Sequence, residues 1–172
     1  VMAGPALIAV AVSPETYQSS FDIQAFLPYA IIAVALLPVQ TTAEELFFRG
    51  WLIQGLSQRY SNIWLLSLVS AVVFALPHLA NPEASGALIP AMVGYAMVGF
   101  ALAWVTVRDR SLEIAIGAHA ANNLFAALIV GYEGGALPAE APFVSTGEVD
   151  WSADNALSLL LIPLFIVLSR WG

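Results

Sequence analysis

Residues 37–51 have the sequence LPVQTTAEELFFRGW, which puts two adjacent glutamates, Glu44 and Glu45, and one arginine, Arg49, inside a long apolar segment. Apolar residues predominate on both sides, from about residue 25 to residue 56. Ionisable side chains in hydrocarbon cost several kcal/mol each, so they usually face a cavity or one another. If the rest of the chain is equally apolar, this stretch predicts a polar site buried in a helical membrane protein.

The composition of the whole chain agrees with this interpretation. Hydrophobic residues make up 60% of the 172 residues and charged residues 10%, and the mean hydropathy is +0.84. A soluble domain is usually about 45–50% apolar and about 25% charged. We therefore predict an all-α, polytopic transmembrane helix bundle that forms one integral membrane domain over residues 1–172. Because the chain begins inside an apolar run, we also expect further spans upstream.

Six apolar segments are separated by turn and loop signals, at roughly 1–12, 25–56, 62–80, 87–107, 112–131 and 155–171. A spanning helix needs about 20 residues, so the segment 25–56 is too long for one straight span. Pro38 predicts a kink, and the part 41–56 is expected to be tilted, broken or partly outside the bilayer. Gly86, Gly94 and Gly99 are expected to permit close helix packing.

The charged residues sort by side if the segments alternate in direction. One face then carries Arg59, Arg108, Arg110 and Arg170. The other receives Glu15, Asp22, Glu83, Glu133, Glu140, Glu148, Asp150 and Asp154. The positive-inside rule puts the arginine face in the cytoplasm. We expect an integral membrane protein, in a prokaryotic inner membrane. Membrane lipid is an expected partner, and the net charge of -7 argues against nucleic acid.

Seven of the polar residues within the apolar segments are candidates for one shared site: Glu44, Glu45, Arg49, His78, His119, Asn122 and Asn123. Glu45 lies 16 residues before the turn at Ser61 and His78 lies 17 after it, so a helical hairpin brings both to a similar depth. His119 and Asn123, at i and i+4, share one helix face. A polar cluster that only joins helices is the simpler interpretation. Convergence of so many groups favours a functional site.

Adjacent glutamates point in different directions on a helix, so they cannot share one role. Glu45 and Arg49 are at i and i+4, which predicts a charge-assisted pair and leaves Glu44 to face the cavity. The reverse assignment stays open. A carboxylate with one histidine can hold and deprotonate a water, and a second histidine with an asparagine amide can stabilise an oxyanion. Such a set is sufficient for amide hydrolysis.

Other catalytic chemistries have less support. The chain has no Cys, and none of its Ser residues lies in a Gly-x-Ser-x-Gly elbow, which argues against a covalent nucleophile. Glu and His are zinc ligands, so a divalent metal stays an alternative. We expect no cofactor, because there is no His-Glu-x-x-His helix and the ligands would come from three separate segments.

Three motifs resemble those of a known family, the CAAX protease and bacteriocin-processing membrane proteins. The stretch 42–50, TAEELFFRG, resembles the Glu-Glu-x-x-x-Arg motif of that family. The stretch 74–78, FALPH, resembles its Phe-x-x-x-His motif, and 119–123, HAANN, resembles its His-x-x-x-Asn motif. Their order and spacing over about 80 residues also match.

The resemblance implies the architecture of type II CAAX prenyl endopeptidases and hydrolysis of a peptide bond in a lipidated or membrane-associated substrate. It carries the following roles onto this chain: the catalytic glutamate onto Glu44, its support onto Glu45 and Arg49, water binding onto His78, and the oxyanion pair onto His119 and Asn123. One departure is Pro82, where some relatives have an asparagine. Asn81 either substitutes for that asparagine or only ends the helix.

Two other functions stay open. The family also contains immunity and scaffold proteins, so a non-catalytic membrane protein of the same fold is the main alternative. A transporter or proton path is the third, because buried glutamate and histidine can relay protons. The loop 132–155 is expected to be solvated, with a lid over the site as the alternative.

Overall fold

The computed structural model describes residues 3–18, 21–138, 140–146 and 150–169. Glu148 and Arg170, which were assigned to opposite faces, lie outside these residues, as does the end of the last apolar segment. The described chain is an all-α membrane fold with these helices: α1 (Ala3–Val12), α2 (Ile23–Glu45), α3 (Ile53–Ser57), α4 (Ile63–Ala75), α5 (Leu88–Asp109), α6 (Glu113–Leu128) and α7 (Trp151–Leu168). Short 3-10 helices cover Pro14–Thr16, Leu76–Ala80 and Pro82–Ala84.

A π-helical segment, Leu46–Leu52, joins α2 to α3. Helical backbone therefore continues over the 35 residues from Ile23 to Ser57, and the long apolar segment is not broken. The wider π-helical turns rotate the residues that follow relative to a regular α-helix. The change in geometry begins directly after Glu45 and includes Arg49, so it falls at the polar stretch that interrupts the apolar segment.

Four helical segments of the described chain are long and apolar enough to cross a membrane: Ile23–Ser57, Ile63–Ala80, Leu88–Asp109 and Trp151–Leu168. The remaining two predicted segments also form helices, but shorter ones. The helix α1 has 10 residues and α6 has 16. After α6 the β-branched residues Ile129 and Val130 lead into extended backbone, which their side chains favour.

The strands β1 (Tyr17–Gln18), β2 (Val130–Tyr132) and β3 (Phe143–Ser145) form a small sheet in the order β1-β3-β2. The strand β3 pairs antiparallel with β1 and parallel with β2. This sheet ties part of the predicted loop 132–155 to the segment before α2. That part of the chain is therefore an ordered layer at one end of the bundle.

The helix α5 is central, since it packs against α4, α6 and α7. A Cβ atom at Gly99 would lie 3.1 Å from Cα of Ala71 in α4, and one at Gly94 would lie 3.1 Å from the indole of Trp151 in α7. Both glycines thus permit the close helix packing that the sequence predicted. The same prediction is wrong for Gly86, where a Cβ would meet no atom within 4 Å.

The turns that carry arginines lie at the same end of the bundle. The ring of Trp64, at the start of α4, is 4.4 Å from the ring of Trp104, near the end of α5, so these helices run antiparallel. The turn with Arg59 therefore lies beside the turn with Arg108 and Arg110.

Large apolar side chains cover the outside of the bundle, and more than half of the surface of several is exposed. Examples are Ile31, Val39, Ile89 and Leu160. Such an apolar exterior is suited to lipid rather than water.

Candidate active site

A buried network lies where α2 meets the π-helical segment. Oε1 of Glu45 accepts hydrogen bonds from Nη1 of Arg49 at 2.9 Å and from Nδ1 of His119 at 2.7 Å. Glu45 is fully buried and Arg49 is 1% exposed. Buried charges are tolerated when they are paired, and the i,i+4 contact of Glu45 with Arg49 supplies that pairing.

Arg49 also connects this network to two other helices. Its Nη2 donates to the carbonyl oxygen of Gly99 in α5 at 2.9 Å. Its guanidinium carbon lies 4.4 Å from the ring centre of Phe74 in α4, within the range of a cation–π contact. One side chain thus holds the polar stretch against both α4 and α5.

Glu44 has a different environment from its neighbour. Its side chain is 26% exposed and lines a cavity, and Gln40 donates a hydrogen bond to its Oε1. Oε2 of Glu44 lies 3.8 Å from Nε2 of His119. The imidazole of His119 therefore stands between the two glutamates, bound to Glu45 on one side and near Glu44 on the other.

His78 lies in the 3-10 helix that continues α4, and it lines the same cavity as Glu44. Its Nδ1 is 2.9 Å from the carbonyl oxygen of Phe74. Because a carbonyl can only accept, Nδ1 carries the proton in this hydrogen bond, and Nε2 of the neutral ring is left as an acceptor. The ring of Tyr95 packs against the imidazole, with 4.3 Å between ring centres.

The cavity has a volume of about 600 Å³, which lies in the usual range for ligand pockets. Three of the predicted catalytic residues, Glu44, His78 and Asn123, line it, and so does Asn122. His119 is buried behind Glu44 and is not part of the described lining. Its role in an oxyanion hole stays a prediction. Among the described residues, no group of three or more histidine, aspartate or glutamate side chains is arranged to hold a metal ion.

Glu83 is a cavity residue that the sequence predicted only as part of the acidic face. Its carboxylate accepts hydrogen bonds from the hydroxyl of Tyr95 at 2.8 Å, from Nδ2 of Asn81 at 3.2 Å and from the backbone N–H of Ala136 at 3.0 Å. Asn81 lines the cavity too, so it does more than end the helix. The sequence signal that could have revealed this cluster is that Glu83 follows His78 closely in the chain.

A family model described as type II CAAX prenyl endopeptidase Rce1-like matches residues 24–125. The match covers more than half of the chain and contains all three motifs. The chain belongs to this family. It has the all-α membrane fold expected of the family, and the apolar helices agree with an integral membrane protein of the CAAX protease type.

One curated relative is the uncharacterized protein YyaK of Bacillus subtilis (strain 168), with 32% identity over 169 residues. That alignment covers 96% of this chain and 56% of YyaK, so the chain spans about half the length of its relative. No solved structure matches the chain.

Proposed function

We propose that the chain is an intramembrane, glutamate-dependent endopeptidase that hydrolyses a peptide bond of a membrane-associated or lipidated substrate. The observation that carries this proposal is the shared cavity of Glu44, His78 and Asn123. The membership of the family supports the reaction class. The partners expected from this activity are membrane lipid and a peptide or protein substrate.

Glu44 acts as the general base in this proposal. It takes a proton from a water whose oxygen attacks the carbonyl carbon of the scissile bond. Nε2 of His78 accepts a hydrogen bond from the same water and orients it. Glu44 then returns the proton to the amide nitrogen as the C–N bond breaks, which gives a free amine and a carboxylic acid that loses its proton to solvent.

The negative charge of the tetrahedral intermediate needs hydrogen-bond donors. The side-chain amide of Asn123 supplies one, and loss of such a donor typically costs about 10²–10³ in kcat. His119 acts beside Glu44, with its Nδ1 fixed by Glu45 and its Nε2 3.8 Å from the proposed base. In this proposal, Nε2 of His119 and the side-chain amide of Asn123 form the oxyanion pair.

A purely structural role accounts for only part of the cluster. A scaffold protein could use Glu45, Arg49 and His119 to join helices, because these three side chains are buried and mutually bonded. Such a role gives no reason to keep Glu44 and His78 at the wall of a cavity. The cost of ionisable groups at that depth favours catalysis over the scaffold alternative.

The test is hydrolysis of a membrane-anchored peptide by the purified protein in detergent, with products identified by mass. Glu44→Gln removes the base and keeps the shape, so kcat should fall by at least about 100-fold. The matched control is Glu113→Gln, since Glu113 is an exposed glutamate in the first turn of α6. The control should cleave at the wild-type rate. Equal cleavage by wild type and Glu44→Gln would rule out Glu44 as the base.

A further inference from the structure

The helix α7 contributes two polar side chains to the wall of the cavity, Asp154 and Ser158. They are one helical turn apart and share a face. Ser158 is only 4% exposed, and no described residue forms a hydrogen bond with its hydroxyl. The carboxylate of Asp154 likewise has no hydrogen-bond partner among the described residues. Because buried polar groups are normally paired, the hydroxyl of Ser158 indicates a partner inside the cavity, and the half-buried carboxylate of Asp154 lies one turn away on the same face.

The other carboxylates of the cavity wall have partners within the protein. Glu83 accepts three hydrogen bonds, and Glu44 accepts one from Gln40 and lies near His119. Asp154 is also not needed to cap its helix. Oδ1 of Asp150 already accepts from the N–H groups of Ser152 and Ala153, both at 3.1 Å. The charge of Asp154 is therefore left for a ligand.

No positive side chain of the described protein offsets this charge. The chain has no Lys, and none of the described arginines lines the cavity. Arg49 is bound to Glu45 and to the carbonyl of Gly99. Arg59 and Arg108 lie in or beside the turns at the arginine-bearing end of the bundle. An uncompensated carboxylate at a cavity wall is most easily stabilised by a cationic ligand.

The surroundings of Asp154 are hydrogen-bonded to neighbouring segments and aromatic. The indole N–H of Trp151 donates to the carbonyl oxygen of Glu83 at 3.2 Å, and Nδ2 of Asn155 donates to that of Pro90 at 2.9 Å, so the start of α7 is held in place. Tyr132 and Trp151 also line the cavity. Burial, with a contribution from Asp154, raises the pKa of Tyr132, which keeps its phenol neutral. Aromatic rings next to a carboxylate favour organic cations.

We propose that Asp154 and Ser158, with Tyr132 and Trp151, form a subsite for the side chain of a lysine or arginine of the peptide substrate. The proposal rests on the proposed peptidase function and adds a specificity to it. Asp154 neutralises the cation and Ser158 accepts a hydrogen bond from it. A free C-terminal carboxylate, in contrast, meets acidic groups and no described cation in this cavity.

The first test compares membrane-anchored peptides that are acetylated at the N-terminus and amidated at the C-terminus, so that only side chains carry charge. The peptides differ by a single Lys or Gln, moved through the positions around the cleaved bond. At one position, wild type should prefer Lys over Gln by about tenfold in kcat/KM, as expected for one favourable charge pair. In Asp154→Asn that ratio should fall to about one.

The matched control is Asp150→Asn, which makes the same chemical change one turn earlier at a residue outside the cavity lining. Asparagine also caps helices well, so this variant should fold and keep the wild-type preference for Lys. The proposal is overturned if wild type shows no preference for Lys at any position. It is also overturned if Asp154→Asn retains the preference.

A binding measurement separates this proposal from catalysis. Fluorescein-labelled Lys and Gln peptides are titrated with Glu44→Gln protein, with and without Asp154→Asn, and anisotropy gives each Kd. If wild type cleaves nothing, the peptidase proposal fails. A roughly tenfold preference for the Lys peptide that disappears with Asp154→Asn still supports the subsite. The subsite proposal is overturned if the Glu44→Gln protein with Asp154 intact binds the Lys and Gln peptides with equal Kd values.

Discussion

Glu44 and Glu45 are neighbours in the chain and have different surroundings. Glu45 is fully buried and bonded to Arg49 and His119, whereas Glu44 reaches the cavity. The buried pair fixes the backbone and the imidazole next to the proposed base. A base of this kind needs such positioning, because small errors in geometry cost large factors in rate.

At the scale of single residues, Arg49→Ala tests the buried network. Removing the guanidinium leaves the carboxylate of Glu45 buried with only His119 as a partner, and it removes the link to Gly99. Breaking a buried pair in this way typically costs about 3–5 kcal/mol. We therefore expect the free energy of unfolding in mixed micelles to fall by about that amount.

The control for this prediction is Arg59→Ala, because Arg59 is exposed in the turn after α3. Its substitution should change the free energy of unfolding by less than about 1 kcal/mol. Similar losses in the two variants would mean that the network of Arg49 does not stabilise the fold.

Part of this site could be predicted from residue spacing. The contact between Glu45 and Arg49 follows from i,i+4 geometry, and the hairpin count put His78 near the depth of the glutamates. The position of His119 behind Glu44 could not be predicted, because it depends on how α6 packs against α2. Asp154 was assigned to an outer face, since nothing local to α7 indicates that its first turn borders the cavity.

At the scale of elements, the meeting of α4 and α5 positions Arg49. Gly99 supplies the carbonyl that Arg49 binds, and its missing side chain lets Ala71 and Phe74 approach α5. Four of the six predicted apolar segments contain helices long and apolar enough to cross a membrane, and the other two contain shorter helices. Apolar length is a local property, so the sequence could indicate these regions. The π-helical geometry and the small sheet were not predicted. One pair of strands in the sheet joins residues that are more than a hundred positions apart, for example Tyr17 and Ser145.

Gly99→Ala should separate α4 from α5. The new Cβ would lie 3.0 Å from Cδ1 of Phe74 and 3.1 Å from Cα of Ala71, so the helices must shift. Overpacking of this kind typically costs about 1–3 kcal/mol, and we expect a lower melting temperature in detergent.

Gly55→Ala is the matched control for this change. Gly55 lies in α3, where a Cβ would meet no atom within 4 Å. Alanine is favoured over glycine in a helix by about 0.5–1 kcal/mol, so the control should melt at the wild-type temperature or above it. An equal fall in both variants would contradict the close approach at Gly99.

At the scale of the whole molecule, the bundle has an arginine-bearing end and an acidic end. Because the chain has no Cys, single cysteines can report the orientation of these ends. Ser61→Cys lies at the arginine-bearing end and Glu133→Cys at the other, and both positions are exposed. The positive-inside rule predicts that a membrane-impermeant maleimide labels Glu133→Cys in intact cells. Ser61→Cys should be labelled only after the membrane is opened, and the reverse pattern would contradict the proposed orientation.

The central claim is that Glu44 and His78 activate one water at the cavity wall. The most direct test of this claim is to measure kcat for peptide hydrolysis by three variants. They are Glu44→Gln, His78→Ala and the variant with both changes. We predict that each single change lowers kcat by about 100-fold or more, and that the double change lowers it hardly further, because groups that act as a unit are not additive. Losses that multiply in the double variant, or wild-type rates in either single variant, would contradict the account.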